Sequence, residues 1–530
     1  MTNQFCHGQR LPLTASKVFG GTRNEVALGI CKDNINSSGG YCAVGFTNSN
    51  DLDVSGFHDT IFSGYHPDDV WVILVDSNLN LVWQRALGGS AFEEGLKVAQ
   101  TPDGGFIIVG WTSSVDGDVA NNHPGGPCWN NKCPDGWIIK LDPLGNLIWE
   151  QTLGGSLDDR FTSLQILPNG DIIVGGYTYS IDGDIIGRHG SNIYLADAWL
   201  ACFSSTGIVK WNQCYGSPYG EERFVDLQLL NDGKLIAIGN ANRNGDDVNG
   251  IHGNSRTDVW VVKLDTSGTI ISQHCFGGNR FEEGKSIQPT ADNGYIFTAT
   301  TNTTGNGDLP NNMDTTSDIF WVVKCDLNNN IQWQKTYGGS NIEFEGQVMN
   351  YNNNYIIMTN TNSIDGIMAQ NHNFSTDTWV AMIDSIGNIQ NQGCYGGTGV
   401  EHCLGLVVNN NVITVAGYSE GSDSDVPNII GGQDLWIFQL NTLINNIQGP
   451  DIPIVNIFPV PVKNTINIDF NKSIKCQVEL LDQMGRLILR SSIVGMKASI
   501  PVTEIESGIY FLVMRGEFGT LTKKVLKIDE

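Results

Sequence analysis

Charge is scarce in this chain, and what there is leans to one sign. Aspartate, glutamate, lysine and arginine make up only 16% of the 530 residues, with 56 acids against 30 bases and a formal net charge of −26. A surface of that sign opposes capture of nucleic acid or anionic lipid. It is compatible with cation binding, although solubility alone accounts for it. No apolar run approaches the roughly 18 residues that cross a bilayer as a helix, so no transmembrane segment is expected. Good helix formers are few, and no stretch repeats its apolar residues every 3.6 positions, which excludes helical solenoids. Catalytic signatures are missing as well: there is no HExxH and no phosphate-binding loop.

The twelve cysteines are too dispersed for a zinc site. Cys128 and Cys133, in PCWNNKC, read as a local disulfide. Cys31 with Cys42, Cys202 with Cys214 and Cys394 with Cys403 are further candidates for bridges between neighbouring strands or turns, against the alternative of buried thiols.

Glycine is plentiful, at 63 residues, which suits short strands and many turns. Seven times an acid stands two or three positions before a tryptophan: Asp69/Trp71, Asp135/Trp137, Asp197/Trp199, Asp258/Trp260, Asp318/Trp321, Asp377/Trp379 and Asp434/Trp436. The Trp-to-Trp steps run from 66 down to 57 residues, the mark of one supersecondary unit repeated. The second unit breaks into four strand-like pieces, at Gly95 to Thr101, Phe106 to Thr112, Trp137 to Leu141 and Leu147 to Leu153. Turn chemistry such as Pro102-Asp103-Gly104 separates them.

A four-stranded meander cannot bury both its faces alone, whereas a ring of such sheets can. The chain is therefore expected to be all-β, with a seven-bladed β-propeller over residues 14–445 behind an N-terminal tail of residues 1–13. The last unit stops at its third strand, while Thr14 to Phe19 precedes the first Gly-Gly with no unit of its own. That segment is expected to supply the missing strand and close the ring, which removes the open edges.

Because strands alternate, the turns after strands one and three share one face and are short. The connections after strand two carry the long insertions of the other face, where function is expected. Two patterns recur there. An acid follows each Gly-Gly, at Glu25, Glu93, Asp159, Glu221, Glu282, Glu343 and Glu401. It reads either as a ring of ligand-binding carboxylates or as an acceptor of backbone N–H groups needed in every blade. Uniform repetition favours the second, since binding sites usually break symmetry. Acidic turns such as Asp116-Gly117-Asp118 and Asp182-Gly183-Asp184 offer hard oxygens for Ca²⁺, the one cofactor considered. Asx-turns explain them equally well. A histidine follows in five units, at His58, His123, His189, His252 and His372, and is expected to tie the loop to the Asp-x-Trp segment.

The repeat DGDV…HGG…DxWVVKLD…G…WQ…GGS resembles the propeller repeat common in surface and secreted proteins of Bacteroidetes. Pieces such as LDPLGNLIWEQTLGG also resemble the Trp-docking repeats of quinoprotein-like propellers, without the regular alanine and lysine positions of that motif. After the linker at 446–453, the segment 454–530 resembles the type A C-terminal sorting domain of the type IX secretion system. The matching positions are Pro459 and Pro461, Gly485-Arg486, Gly508 and Tyr510, and Lys523 with Lys524. Pro-Val-Pro stands where the family has Pro-Asn-Pro. The resemblance implies a small Ig-like β-sandwich of about seven short strands, type IX machinery as partner, and delivery across the outer membrane to the cell surface or medium. Met1 to Thr14 lacks the apolar core of a signal peptide, so the leader is expected to have been removed or to lie outside this sequence.

The function expected is non-catalytic binding or adhesion, to polysaccharide or to a surface protein, through the long-loop face. The rival is a secreted glycan hydrolase using carboxylates of that face.

Overall fold

Each repeated strand is seven to nine residues long, rich in β-branched and aromatic side chains, and many of the turns between them place glycine or asparagine at positive φ. The computed structural model describes residues 10–35, 39–58, 66–123, 128, 133–253, 256–303, 305–309, 317–372, 375–443, 455–458, 461–483, 485–516 and 519–528. The chain divides into two compact units, residues 1–442 and 443–530.

The first unit is seven four-stranded antiparallel sheets. β1 (Leu13–Phe19) precedes the first complete blade, which is β2 (Glu25–Lys32), β3 (Tyr41–Thr47), β4 (Asp69–Val75) and β5 (Leu81–Leu87). Blades 2 to 6 follow as β6–β9 (Glu93–Leu153), β10–β13 (Asp159–Tyr215), β14–β17 (Glu222–Phe276), β18–β21 (Glu282–Tyr337) and β22–β25 (Glu343–Tyr395). Blade 7 has three strands in sequence, β26 (Glu401–Asn409), β27 (Val412–Ser419) and β28 (Asp434–Asn441), and takes β1 as its fourth. This is a seven-bladed β-propeller. The first strands of neighbouring blades touch all the way round, so they line the axis.

The repeated tryptophan is the centre of each blade. Trp71, Trp137, Trp199, Trp260, Trp321, Trp379 and Trp436 are at most 1% exposed. A buried indole N–H without an acceptor costs about 1–3 kcal/mol, and each of these has one. In six blades it lies thirteen residues on, in the fourth strand: Gln84, Glu150, Asn212, Gln273, Gln334 and Gln392. In blade 7 that strand is β1, and Trp436 donates to Ser16 Oγ at 2.9 Å. The N-terminal segment thus supplies both a sheet edge, with Val18 opposite Trp436, and a polar partner.

A backbone hydrogen bond repeats at every seam. The first N–H of a first strand donates to the carbonyl just before the third strand of the preceding blade. Glu93 donates to Asp68 at 2.8 Å, Glu222 to Ala196 at 2.9 Å and, across the closure, Glu25 to Gln433 at 2.7 Å.

Three expectations need correction. Asp318 does not occupy the repeated acidic position of blade 5. Ile319 does, two residues before Trp321 and opposite Thr301 as Asp69 is opposite Thr47, while Asp318 is the counterpart of Asp68. Of the cysteine pairs, the structure joins Cys128 to Cys133, with Cα atoms 5.0 Å apart. The other three pairs remain thiols. Cys31 and Cys42 do face each other across β2 and β3, but Cys202 and Cys394 stand opposite Trp211 and Trp379.

The second unit is a small β domain of five strands rather than seven short ones. They are β29 (Val455–Phe458), β30 (Thr465–Leu481), β31 (Leu487–Pro501), β32 (Gly508–Gly516) and β33 (Gly519–Lys527). β30 pairs with β29 before a register break between Asp469 and Ile474, and with β32 after it. One long strand therefore serves two sheet segments, and Ile468, Val478 and Leu512 meet in its core.

If β1 closes the ring, deleting residues 1–19 should expose the β28 edge and produce self-association, read by light scattering, with a lowered Tm. Ser16→Ala should cost about 1 kcal/mol in chemical denaturation, the worth of one hydrogen bond. A monomeric deletion variant with unchanged Tm would contradict closure.

Candidate functional site

The repeated acids stand at the first residue of each first strand, where the chain leaves the Gly-Gly turn and enters the seam. Glu25, Glu93, Asp159, Glu282, Glu343 and Glu401 are all fully buried. Each accepts the N–H of the second glycine, as Glu93 does from Gly89 at 3.0 Å and Glu401 from Gly397 at 2.7 Å. Each also accepts a second-strand hydroxyl, Thr112 for Glu93 and Ser419 for Glu401. In blade 4 this position belongs to Glu222, not Glu221. The turn Ser217-Pro218-Tyr219-Gly220 is one residue longer, and Glu222 accepts from Ser217 N–H at 3.0 Å. Glu221 instead reaches outward to Arg223, 2.6 Å away.

Opposite each such acid lies the Asp of the preceding blade. Asp69 accepts both the N–H and the Nδ1 of His58, at 2.9 and 2.8 Å, on Oδ2. The same arrangement joins His123 to Asp135, His189 to Asp197, His252 to Asp258 and His372 to Asp377. In blade 7 the N–H groups of Ile430 and Gly431 replace the histidine on Asp434. The imidazole's other nitrogen turns to the next blade's acidic turn, His58 Nε2 lying 3.9 Å from Asp118 and His189 Nε2 3.2 Å from Asp247. These turns are engaged with backbone: Asp116 Oδ1 accepts Ser90 N–H and Asp118 Oδ2 accepts Gly88 N–H, and Asp182 and Asp184 bind Ser156 and Gly154 in the same way. Among the described residues no group of three or more His, Cys, Asp or Glu side chains is arranged to hold a metal.

The other Asp oxygen differs. Oδ1 of Asp69, Asp135, Asp258, Asp377 and Asp434 is buried without a hydrogen bond, while Oδ1 of Asp197 is paired with the Arg188 guanidinium. A methyl group on Gly88 would lie 2.7 Å from Asp69 Oδ1 and 2.5 Å from Glu93 Oε2. The two carboxyls therefore converge over this glycine, and nothing larger fits. Two carboxylates this close in a dry seam cannot both ionise, so one proton is held by the pair. Burial raises Glu93 to about 8, with Asp69 adding repulsion, and burial raises Asp159, Glu343 and Glu401 to about 7. At the blade 5–6 seam Ile319 replaces the aspartate and no histidine accompanies it among the described residues.

One residue further along each first strand the side chain points to the opposite sheet face, and the uniformity ends. Its cross-strand pairs at the long-loop end of the axis are Val26/Phe46, Glu94/Trp111, Arg160/Tyr177, Arg223/Asn240, Glu283/Thr300, Phe344/Asn360 and His402/Tyr418. No two blades agree. Arg160 stacks 4.3 Å over Trp111 and Arg223 4.4 Å over Tyr177, each joining one blade to the preceding one. Asp158 and Glu221 hold the two guanidinium groups. A cavity of about 430 Å³ opens here over blades 3 to 5, lined by Tyr177, Glu221, Arg223, Asn240, Asn242 and Glu283. These residues escaped the sequence reading apart from Glu221. The available signal was the position next to each conserved-type acid, where the repeat varies most.

In the second unit Pro459 lies outside the described residues, and Pro461 is exposed. Gly485 adopts φ +76° in the turn before β31, and Tyr510 donates to Glu506 O at 2.9 Å. Lys523 and Lys524 are exposed on β33, opposite Leu512 and Phe511. Residues 456–528 match the secretion system C-terminal sorting domain family.

The chain ends in a type IX sorting domain.

It is handled by that secretion system and directed to the cell surface or extracellular space. Among the described residues no helix is long and apolar enough to cross a membrane. A stretch of 170 residues is 24% identical to the regulatory protein FlaEY of Caulobacter vibrioides, over 32% of this chain. The match spans only 18% of that relative's length. Among solved structures, the chain is similar to the Neurospora crassa Pan2 WD40 domain, with a TM-score of 0.43 and 10% identity over 81% of this chain and 97% of that one. It is also similar to a family PL25 ulvan lyase, with a TM-score of 0.44 and 9% identity over 81% and 95%. At these scores no function is carried across.

Glu93, Glu343 and Glu401 titrate above their unfolded values, so their contribution is complete below about pH 4.5 and is lost as pH rises through about 7 to 8. Tm measured by calorimetry should therefore fall between pH 6 and 9. Glu93→Gln, which replaces the shared proton with an amide N–H facing Asp69 Oδ1, should lessen that fall. An alkaline loss identical to wild type would show that this pair holds no proton.

Proposed function

We propose that this chain is an exported, non-catalytic binding protein whose propeller recognises polysaccharide or another surface protein at the long-loop end of its axis. One observation carries the reading: the seams are built alike while the adjoining layer differs in every blade, and a cavity opens in that layer. Aromatic faces, two stacked guanidinium groups and flanking carboxylates suit a ligand with both apolar faces and polar substituents. The guanidinium groups are held in place before any ligand arrives, which lowers the entropy cost of binding.

Glu221 and Glu283 line the same cavity, and this favours the hydrolase as the second reading. The two separate cleanly. Purified full-length chain should retain surface polysaccharide or surface protein without releasing reducing ends, and Tyr177→Ala with Arg223→Ala should weaken retention at least tenfold. Release of reducing ends that disappears in Glu221→Gln or Glu283→Gln would replace binding with hydrolysis. Export has its own check. Deleting residues 452–530 should strand the protein in the periplasm, and its appearance on the surface without them would remove the sorting role.

A further inference from the structure

The opposite, short-loop face carries a groove of about 760 Å³ across the turns of blades 4, 5 and 6. Its floor is apolar and rigid. Trp333 is half-buried with its indole N–H committed to Ser385 O at 2.8 Å, and a methyl group on Gly387 would lie 2.9 Å from its ring. The Tyr355 ring stands 6.4 Å away, and Ile386 is 60% exposed beside them.

Five primary amides, of Asn231, Gln332, Asn350, Asn352 and Asn353, line its walls beside Thr290, Asp292 and Lys324. Asn231 comes from the first turn of blade 4 and Asn350 from the end of β22, where it bridges to Pro289 O at 2.8 Å. Asn352 and Asn353 form the two-residue turn between β22 and β23, where blades 2 to 5 have five-residue connections. Asn352 takes φ +52°, which asparagine tolerates. Each amide offers both donors and an acceptor. The charged groups of the groove cancel: Lys324 Nζ lies 2.8 Å from Asp292 and 2.8 Å from Gln332 Oε1.

We infer that this groove binds a neutral, linear oligosaccharide, independently of the channel mouth on the other face. Stacking on Trp333 suits the C–H face of a sugar ring, and the amides suit its hydroxyls. A polyanion would meet no unpaired base here and a chain of net charge −26. The ligand is extended rather than a single sugar, because a second cavity of about 290 Å³ shares Asn231 and Pro289 with the first and continues the groove.

Full-length protein titrated calorimetrically with β-1,4-linked hexasaccharides of glucose, xylose and mannose, and with dextran sulfate, tests this. At least one neutral hexasaccharide should bind, dextran sulfate should not compete, and Trp333→Ala should weaken binding at least tenfold. Asn353→Ala, on an exposed turn, should weaken it several-fold and serves if the tryptophan variant misfolds. Arg223→Ala should leave this affinity unchanged. Failure of all three neutral probes, or binding indifferent to both groove variants, would overturn the inference. Binding lost with Arg223→Ala but kept with Trp333→Ala would assign the sugar to the channel mouth, leaving the proposed function standing and the groove without its ligand.

Discussion

At six of the seven seams between blades two carboxyls are buried against each other, and the local chemistry is arranged to permit it. The strand-three aspartate and the strand-one acid of the following blade converge over a glycine that has no room for a side chain. One proton neutralises the pair, the imidazole of the long loop satisfies the aspartate's other oxygen, and the Gly-Gly N–H satisfies the glutamate. Burial of an ionised carboxylate alone would cost several kcal/mol. The arrangement converts that cost into a directional contact that sets the blade spacing. Where the aspartate is lost, at Ile319, no histidine is found among the described residues. The aspartate is also held without an imidazole, as Asp434 is by the N–H groups of Ile430 and Gly431, so the paired carboxyls are the constant part of this device.

This device also separates scaffold from variation. Because side chains alternate along a strand, the seam takes one face of each first strand and leaves the next residue to the axis. Glu93 and Glu94 are neighbours in sequence, yet the first repeats in equivalent form around the ring and the second has a different counterpart in every blade. The same logic applies on the short-loop face. There the turn at Asn352-Asn353 departs from the connections of blades 2 to 5 and stands beside an aromatic floor. Repetition stabilises the ring, and departures from it are where a ligand can be told from solvent.

Much of the scaffold was legible beforehand because it rests on short-range rules. The strand positions of blade 2, the Gly-Gly turns and the orphan segment Thr14 to Phe19 follow from local turn chemistry and from counting units. The tie between His58 and Asp69 was also legible, since a histidine recurs at a steady offset after the acidic turn, ahead of the Asp-x-Trp segment. One error arose where a residue was inserted: Glu221 stood for Glu222, since a spacing rule cannot see whether an extra residue is absorbed in a turn. Another arose where a residue was substituted: Ile319 occupies the acidic position of blade 5, and Asp318 stands just before it. The five strands of the sorting domain were read as seven for a related reason: β30 passes through a register break without ending.

What the sequence alone determined is the repeated unit, the number of blades, how the ring closes and where the chain is sent. These depend on periodicity and on a local motif, which survive in one dimension. Only the tertiary structure decided what the repeated acids do. Whether a carboxylate meets solvent, a cation or a second carboxylate depends on which blade lies across the seam, and the acid it meets stands 24 or 25 residues away along the chain or, at the closure, near its other end. It likewise brought Tyr177, Arg223 and Glu283 from three blades to one cavity, a proximity that has no trace in their spacing.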